Sequence, residues 1–267
     1  MRKICSLLTA VAMALVFTAA ITATAGAQDR TNDKAKPIIL VHGYYSLPPI
    51  LTGLPSTLQW NTAKQRLRDQ GFTGQILTAG YYSNDSGFDV DLRNWGNIND
   101  QSTFPVIAQA LNRYVYQTFT SQGQTIDLVG HSQGGMIIRS AVLGGQIGAP
   151  GFSRIDVEDG VTIGTPHKGS PLAALCKPFL PQCGAFLPTS PEVKWMNTNT
   201  NPQGIYGTDW TNIAGLFDEL VPRSSALGMS VDSNHKYVAT SAFEHIAQVF
   251  NSEIWRHTGP ALQLGSR

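Results

Sequence analysis

The stretch Thr125-Ile126-Asp127-Leu128-Val129-Gly130-His131-Ser132-Gln133-Gly134-Gly135 constrains this chain more than any other, because an apolar strand runs straight into G-x-S-x-G. A serine so placed sits on a sharp, strained strand-to-helix turn, and the glycines around it let the strand and helix backbones crowd together. Its hydroxyl then projects above the sheet. Gly and Ser are also common in ordinary turns, so the flanking segments must decide between the two.

Both flanks fit the strained turn. Met136, Ile137, Ile138, Ala141 and Val142 give the helix that follows a mostly apolar face. Upstream, Pro37-Ile38-Ile39-Leu40-Val41 is a continuous apolar run of the kind expected of a buried parallel strand, and it ends in His42-Gly43-Tyr44. A glycine there lets the chain turn back beneath the serine, so that backbone N–H groups face a developing negative charge. The expected oxyanion donors are the N–H groups of Tyr44 and Gln133.

Four motifs together resemble an α/β-hydrolase, and more narrowly the secreted bacterial lipases and esterases of actinobacterial type. They are Val41-His42-Gly43-Tyr44, Gly130-His131-Ser132-Gln133-Gly134-Gly135, Gly164-Thr165-Pro166-His167-Lys168-Gly169-Ser170, and Asp218-Glu219-Leu220-Val221-Pro222. The third is the most specific, since in that family it follows the strand after the nucleophile helix, and Gly160-Val161-Thr162-Ile163 supplies such a strand. The resemblance implies a mostly parallel central sheet with helices on both faces and a small loop-rich cap or lid region. It also implies hydrolysis of carboxylic esters, with an ester or lipid as substrate.

Six histidines compete to be the base for Ser132: His42, His131, His167, His235, His245 and His257. The fold's chain order, serine then acid then histidine, leaves the last three. His245 is favoured because Tyr237-Val238-Ala239-Thr240 reads as a last short strand, and Ile246, Val249, Phe250 and Ile254 form an apolar stripe at helical spacing after it. His235 competes from a polar stretch that reads as a solvated turn, and His257 is expected after the last helix, exposed. For the acid, Thr211-Asn212-Ile213-Ala214-Gly215 reads as a strand end, and the family's Asp-x-x-Val-Pro pattern aligns Asp218, with Glu219 as the neighbouring competitor. Asp209 is read as preceding the strand.

The first 27 residues read as a secretory signal peptide, with Arg2 and Lys3, an apolar run from Leu7 to Ala20, and Ala25-Gly26-Ala27 before Gln28. Residues 28–267 are then expected to form one catalytic domain, secreted and monomeric. Cys176 and Cys183 are the cysteines that remain, and an even pair at short spacing in an exported protein reads as a disulfide, as paired cysteines do in similar lipases. With 19 basic against 18 acidic side chains, no field is expected to attract nucleic acid or an anionic membrane. No cofactor and no metal are expected: Asp85, Asp89, Asp91 and Asp100 match no metal loop and read as solvent-facing, while Asp232 and Asn234 lie where some similar lipases hold calcium.

The substrate signal is thinner. Tyr44 to Leu51, Pro178-Phe179-Leu180-Pro181 and Ala185-Phe186-Leu187-Pro188 are apolar loops that suit either an acyl-chain pocket in transient contact with lipid interfaces, or simply core beneath long loops. Thr103 before Pro105 suggests a capped amphipathic helix with Val106, Ile107, Ala110, Leu111, Tyr114 and Val115 inward. The Asn197 to Thr208 segment reads as a loop and part of a small cap. A thioesterase, an amidase, an acyltransferase or a non-catalytic binding protein on the same fold shares these features.

Overall fold

The computed structural model of the protein describes residues 33–44, 56–178, 180–242 and 244–264; the expected signal peptide and most of the apolar loop after Tyr44 lie outside them. In chain order the regular elements are β1 (Ile38–Val41), α1 (Ser56–Asp69), β2 (Ile76–Gly80), β3 (Val90–Asp91), α2 (Phe104–Thr118), β4 (Ile126–His131), α3 (Gln133–Gln146) and β5 (Val157–Ile163). There follow the short helices α4 (Ala173–Cys176) and α5 (Pro191–Met196), then β6 (Asp209–Gly215), α6 (Arg223–Ala226), β7 (Lys236–Ala239) and α7 (Ser252–Ala261).

The seven strands form one sheet in the order β3-β2-β1-β4-β5-β6-β7, with every neighbouring pair parallel. Each strand therefore has both faces to cover. In β1, Ile38 and Leu40 join a core that includes Trp60 and Leu67 of α1 and Ile254 and Trp255 of α7. Ile39 and Val41 point the other way, into a core with Ile107 and Leu111 of α2 and Ile137 and Ile138 of α3. This period of two explains why the strand has no polar residue, and each such side chain stabilises the fold by about 1.5–3 kcal/mol through burial. Asn112 joins α2 to α3, donating at 2.8 Å to the carbonyls of Ala141 and Ser153.

The sheet order places a switch point between β1 and β4. From β1 the chain moves outward through β2 and β3, then returns to β4 and continues the other way. Loops leaving the carboxyl ends of strands at such a point diverge and leave a crevice. Because Val41 pairs with Gly130, Gly43 and Ser132 emerge side by side there. The loop-rich insertion between β5 and β6 carries α4, α5 and the 3-10 helix Pro181–Phe186.

Several local expectations need correction. Thr103 stands at the N-cap of α2 in an extended conformation, but its side chain makes no capping bond, and Val106 faces outward at 42% exposure. The apolar stripe after His245 is a 3-10 helix, Ile246–Phe250, and not the start of the last helix. Asn251 breaks it: its side chain accepts from the N–H of Glu253 and starts α7 anew. His257 lies inside α7, half-buried, its ring stacked on Tyr237 at 4.4 Å. Asp209 is the first residue of β6 and buried, so it belongs to the strand.

Candidate active site

Ser132 follows β4 with φ 54 and ψ −122, the one non-glycine residue of positive φ among the described residues. Its N–H donates to the carbonyl of Ile163 at 2.8 Å and its own carbonyl accepts from Gly135 at 3.1 Å. Backbone in this region costs about 1–3 kcal/mol and persists only where its surroundings fix it. The glycines do so by permitting close approach. A Cβ on Gly130 would stand 2.5 Å from the carbonyl of Gly134, one on Gly134 would enter the carbonyl of Val41, and one on Gly43 would stand 2.9 Å from the Cβ of Ser132.

The parallel strands bring two further loops to the same edge. Asp218 follows β6 and His245 follows β7. The Ser132 hydroxyl lies 2.8 Å from Nε2 of His245, and Nδ1 of His245 lies 2.8 Å from Oδ2 of Asp218. Asp218 Oδ1 accepts from the N–H groups of Leu220 at 2.9 Å and Val221 at 2.8 Å, while Oδ2 also accepts from Gln248 at 2.8 Å. Burial by itself would raise this carboxyl, but the bonds and charge of His245, with the Val221 N–H and Gln248, bring it below its ordinary value. It stays ionised. No hydrogen bond among the described residues joins His235 or His257 to Ser132 or Asp218.

The remaining motifs hold these three in place. Gly164, at φ 53, and Gly215 leave room for Gln248, whose amide a Cβ at either position would meet. The Ser170 hydroxyl donates to the carbonyl of Leu220 at 2.6 Å, and the Ser225 hydroxyl to that of Gly169 at 2.7 Å, so the third motif anchors the acid loop. His167 is fully buried, facing Thr162 Oγ1 at 2.9 Å and Arg139 Nη1 at 3.3 Å. Burial, then the Arg139 charge, pushes its pKa well down, and it packs as a neutral ring away from the serine.

On the other side of Ser132, the Gly43 carbonyl accepts from the Tyr81 hydroxyl at 2.9 Å and faces His42 Nδ1 at 2.7 Å. His42 stacks on Tyr81 with centroids 4.1 Å apart and reaches Asp85 Oδ2 at 2.9 Å. Since the Gly43–Tyr44 peptide is trans, holding its carbonyl here points the Tyr44 N–H the opposite way. The Gln133 side chain is buried, with Oε1 3.0 Å from the Tyr82 hydroxyl.

The family model of the PGAP1-like alpha/beta domain matches residues 34–202, more than half of the 267-residue chain. The chain belongs to this family. The matched segment of the PGAP1-like domain runs from before β1 to before β6, so it contains Ser132 but not Asp218 or His245. No curated protein sequence matches the chain. Among solved structures it is similar to the mature form of the Bacillus licheniformis lipase BlEst2, at 18% identity and TM-score 0.56, covering 89% of this chain and 96% of that one. Aspergillus fumigatus lipase B is similar at 14% identity and TM-score 0.55, covering 86% of this chain and 53% of that one. The esterase domain of a Rhodothermus marinus protein follows at 13% identity and TM-score 0.50, covering 86% and 88%. At these identities the likeness is one of fold, and the fold is that of an α/β-hydrolase.

Of the aspartates expected to face solvent in this PGAP1-like domain, Asp89 and Asp91 do so in part and Asp85 does not. Asp85 is largely buried and accepts from the N–H groups of Tyr81 at 2.6 Å and Tyr82 at 2.8 Å as well as facing His42. Asp89 binds Lys64 at 2.6 Å, Asp91 binds Arg93 at 2.7 Å, and Asp100 accepts from Ser83. Among the described residues no group of His, Cys, Asp or Glu is arranged to hold a metal ion. Cys176 and Cys183 form a disulfide with Cα atoms 5.9 Å apart, and Cys183 Sγ lies 3.8 Å from the Tyr44 hydroxyl.

Gln248, Tyr81, Tyr82 and Gln182 escape the sequence reading. None sits in a chemical motif, and each acquires its role from a partner that only the fold brings near.

Proposed function

We propose that this PGAP1-like domain is a secreted serine hydrolase that cleaves carboxylic esters through an acyl-serine. The observation that carries the reading is the unbroken hydrogen-bonded line from Ser132 through His245 to Asp218, with both links at 2.8 Å. His245 takes the Ser132 proton through Nε2 as Oγ attacks the ester carbonyl carbon, and Asp218 fixes the tautomer and stabilises the imidazolium. The N–H groups of Tyr44 and Gln133 receive the oxyanion. His245 then returns the proton to the departing alcohol. A water, deprotonated by the same ring, attacks the acyl-serine and releases the acid.

The disulfide supports an oxidising compartment and so export. Phe217, beside Asp218, is 53% exposed and Leu175, beside Cys176, is 73% exposed, which supports transient contact with a lipid or ester interface. The relatives described as lipases point the same way by fold alone.

The test is Ser132→Ala. Hydrolysis of p-nitrophenyl acetate and labelling by a fluorophosphonate are both expected to vanish while the circular dichroism stays that of the parent protein. Turnover above a trace in the variant would refute the nucleophile. A parent protein that neither hydrolyses esters nor takes the label would be a binding protein on this fold. A series of p-nitrophenyl esters of rising chain length then separates esterase from lipase.

A further inference from the structure

The disulfide loop touches Tyr44 directly and reaches Gln133 through Tyr82, and these are the two residues, Tyr44 and Gln133, to which the proposed function assigns the oxyanion. Cys183 lies against the Tyr44 hydroxyl, and the Phe186 ring meets the Tyr44 ring edge-on at 5.4 Å. Gln182, the neighbour of Cys183, is 1% exposed and reaches the Tyr82 hydroxyl, which in turn reaches Gln133, the residue that follows Ser132.

The direction of these bonds can be worked out. The Tyr82 hydroxyl lies 3.0 Å from Oε1 of Gln133 and 3.2 Å from Oε1 of Gln182. A phenol has one hydrogen, so it can donate to one carbonyl only, and the other contact needs an amide N–H turned toward the oxygen. Gln182 is not free to turn, because its Nε2 already donates to the carbonyl of Ser102. Nε2 of Gln133, by contrast, is buried with no partner among the described residues. Gln133 is therefore the one that turns, which leaves a carbonyl without a partner in place of an NH2, the less costly orphan. The resulting line runs from Gln133 Nε2–H to Tyr82 Oη, from Tyr82 O–H to Gln182 Oε1, and from Gln182 Nε2–H to Ser102.

We infer that Tyr82 and Gln182 are positioning residues, through which the seating of the disulfide loop fixes Gln133 and hence the N–H that faces the oxyanion. The inference rests on the hydrolase reading above. No contact joins Tyr82 to Ser132 or His245 among the described residues; it acts through Gln133. Such a line is rigid because each member is satisfied in one direction only.

The decisive variant is Tyr82→Phe, which keeps the ring and removes one oxygen. On p-nitrophenyl acetate its kcat should fall roughly tenfold with KM unchanged, within the loss of up to about 100-fold that a misplacement of about 1 Å causes. The rate of fluorophosphonate labelling should fall in parallel. Gln182→Met should give a similar loss, and the double variant should be no worse than either single one. Reduction of the disulfide with dithiothreitol should lower kcat in the parent protein but not further in Tyr82→Phe. A residue that served packing alone would lower the melting temperature and leave kcat intact. Parent-like kcat in Tyr82→Phe, or losses that multiply in the double variant, would overturn the inference while leaving the hydrolase reading standing. A parent protein without esterase activity or labelling would bring down both.

Discussion

The Nε2–H of His131 donates to the main-chain carbonyl of His245 at 2.9 Å, so the residue that precedes the serine also holds the histidine facing it. Burial, then the charge of His245, lowers the His131 pKa to about 3, which makes it a neutral donor at any working pH. The other end of the same residue is held by Glu219, whose Oε2 accepts the His245 N–H at 3.0 Å. His245 is thus held by main chain and ring together, and the neighbouring acids Asp218 and Glu219 divide the work.

That division separates the two acids experimentally. Under the proposed mechanism, Asp218→Asn removes the charge assigned to stabilising the imidazolium and should lower kcat by about 10,000-fold. Glu219→Gln keeps an acceptor for the main-chain N–H and should cost less than about tenfold, the scale of one hydrogen bond worth about 1 kcal/mol. Steady-state kinetics on one ester decides it, and a larger loss for Glu219→Gln would reverse the assignment of the acid.

A second prediction concerns the opposite end of the sheet. Lys36 Nζ lies 3.0 Å from Asp127, 3.2 Å from Glu158 and 3.4 Å from Asp159, so one buried cation faces three carboxylates. Burial raises Asp127 to about 7 and Asp159 to about 9, with repulsion between the carboxylates adding to it and Lys36 offsetting only part. The unfolded carboxyls titrate near about 3.9, so between pH 4 and 9 the folded protein holds protons that the unfolded chain has released. This contribution to stability is complete below about pH 4 and is lost as pH rises through the folded values. Melting temperature should therefore fall from pH 6 to pH 9.5, and Asp159→Asn should flatten the slope, gaining about 1–3 kcal/mol at the alkaline end. Parallel curves for parent and variant would rule this out.

Much of this arrangement can be read before folding. The serine turn, the glycine after β1 and the strands that lead to the three site residues are encoded by neighbours in sequence, and local glycine and apolar spacing is what the eye can follow. Chain order leaves His235, His245 and His257 alike, the strand and apolar stripe on either side favour His245, and the structure brings that residue beside Ser132 and Asp218. The helix after it misled, because apolar spacing of three and four continues across Asn251 while the backbone stops there. Asp85 misled for the opposite reason. Its side-chain partner His42 lies in the loop after β1, far away in sequence, and the N–H groups of Tyr81 and Tyr82, though only four and three residues before it, turn toward it only once the segment after β2 has folded. Asp127 stood inside an apolar strand, and its partners Lys36 and the N–H of Asp159 are both far away in sequence.

The disulfide should matter to stability as well as to position. It closes a loop of eight residues, Cys176 to Cys183, which on the chain-entropy model is worth about 2.5 kcal/mol. Replacing both cysteines by serine should lower the denaturation midpoint accordingly, and so should dithiothreitol on the parent protein, to the same value. A parent protein indifferent to reductant would mean that packing of Phe186 and Gln182 already fixes the loop without the bond.

Ser132 itself should be a place where function opposes stability. At φ 54 and ψ −122 a side chain is strained, and the Cβ that carries the hydroxyl also stands against Gly43. Glycine adopts this backbone freely, but it also gains freedom in the unfolded chain, which takes back about 0.5–1 kcal/mol of any relief. With strain of about 1–3 kcal/mol to release, Ser132→Gly should still be the more stable protein by about 1 kcal/mol, whereas Ser132→Ala, which keeps the Cβ, should not gain. Both should be inactive. Denaturant titration of the two variants beside the parent protein makes the comparison. Equal stability of the glycine and alanine forms would mean that the turn holds no strain at the serine and that the glycines around it have already relieved it.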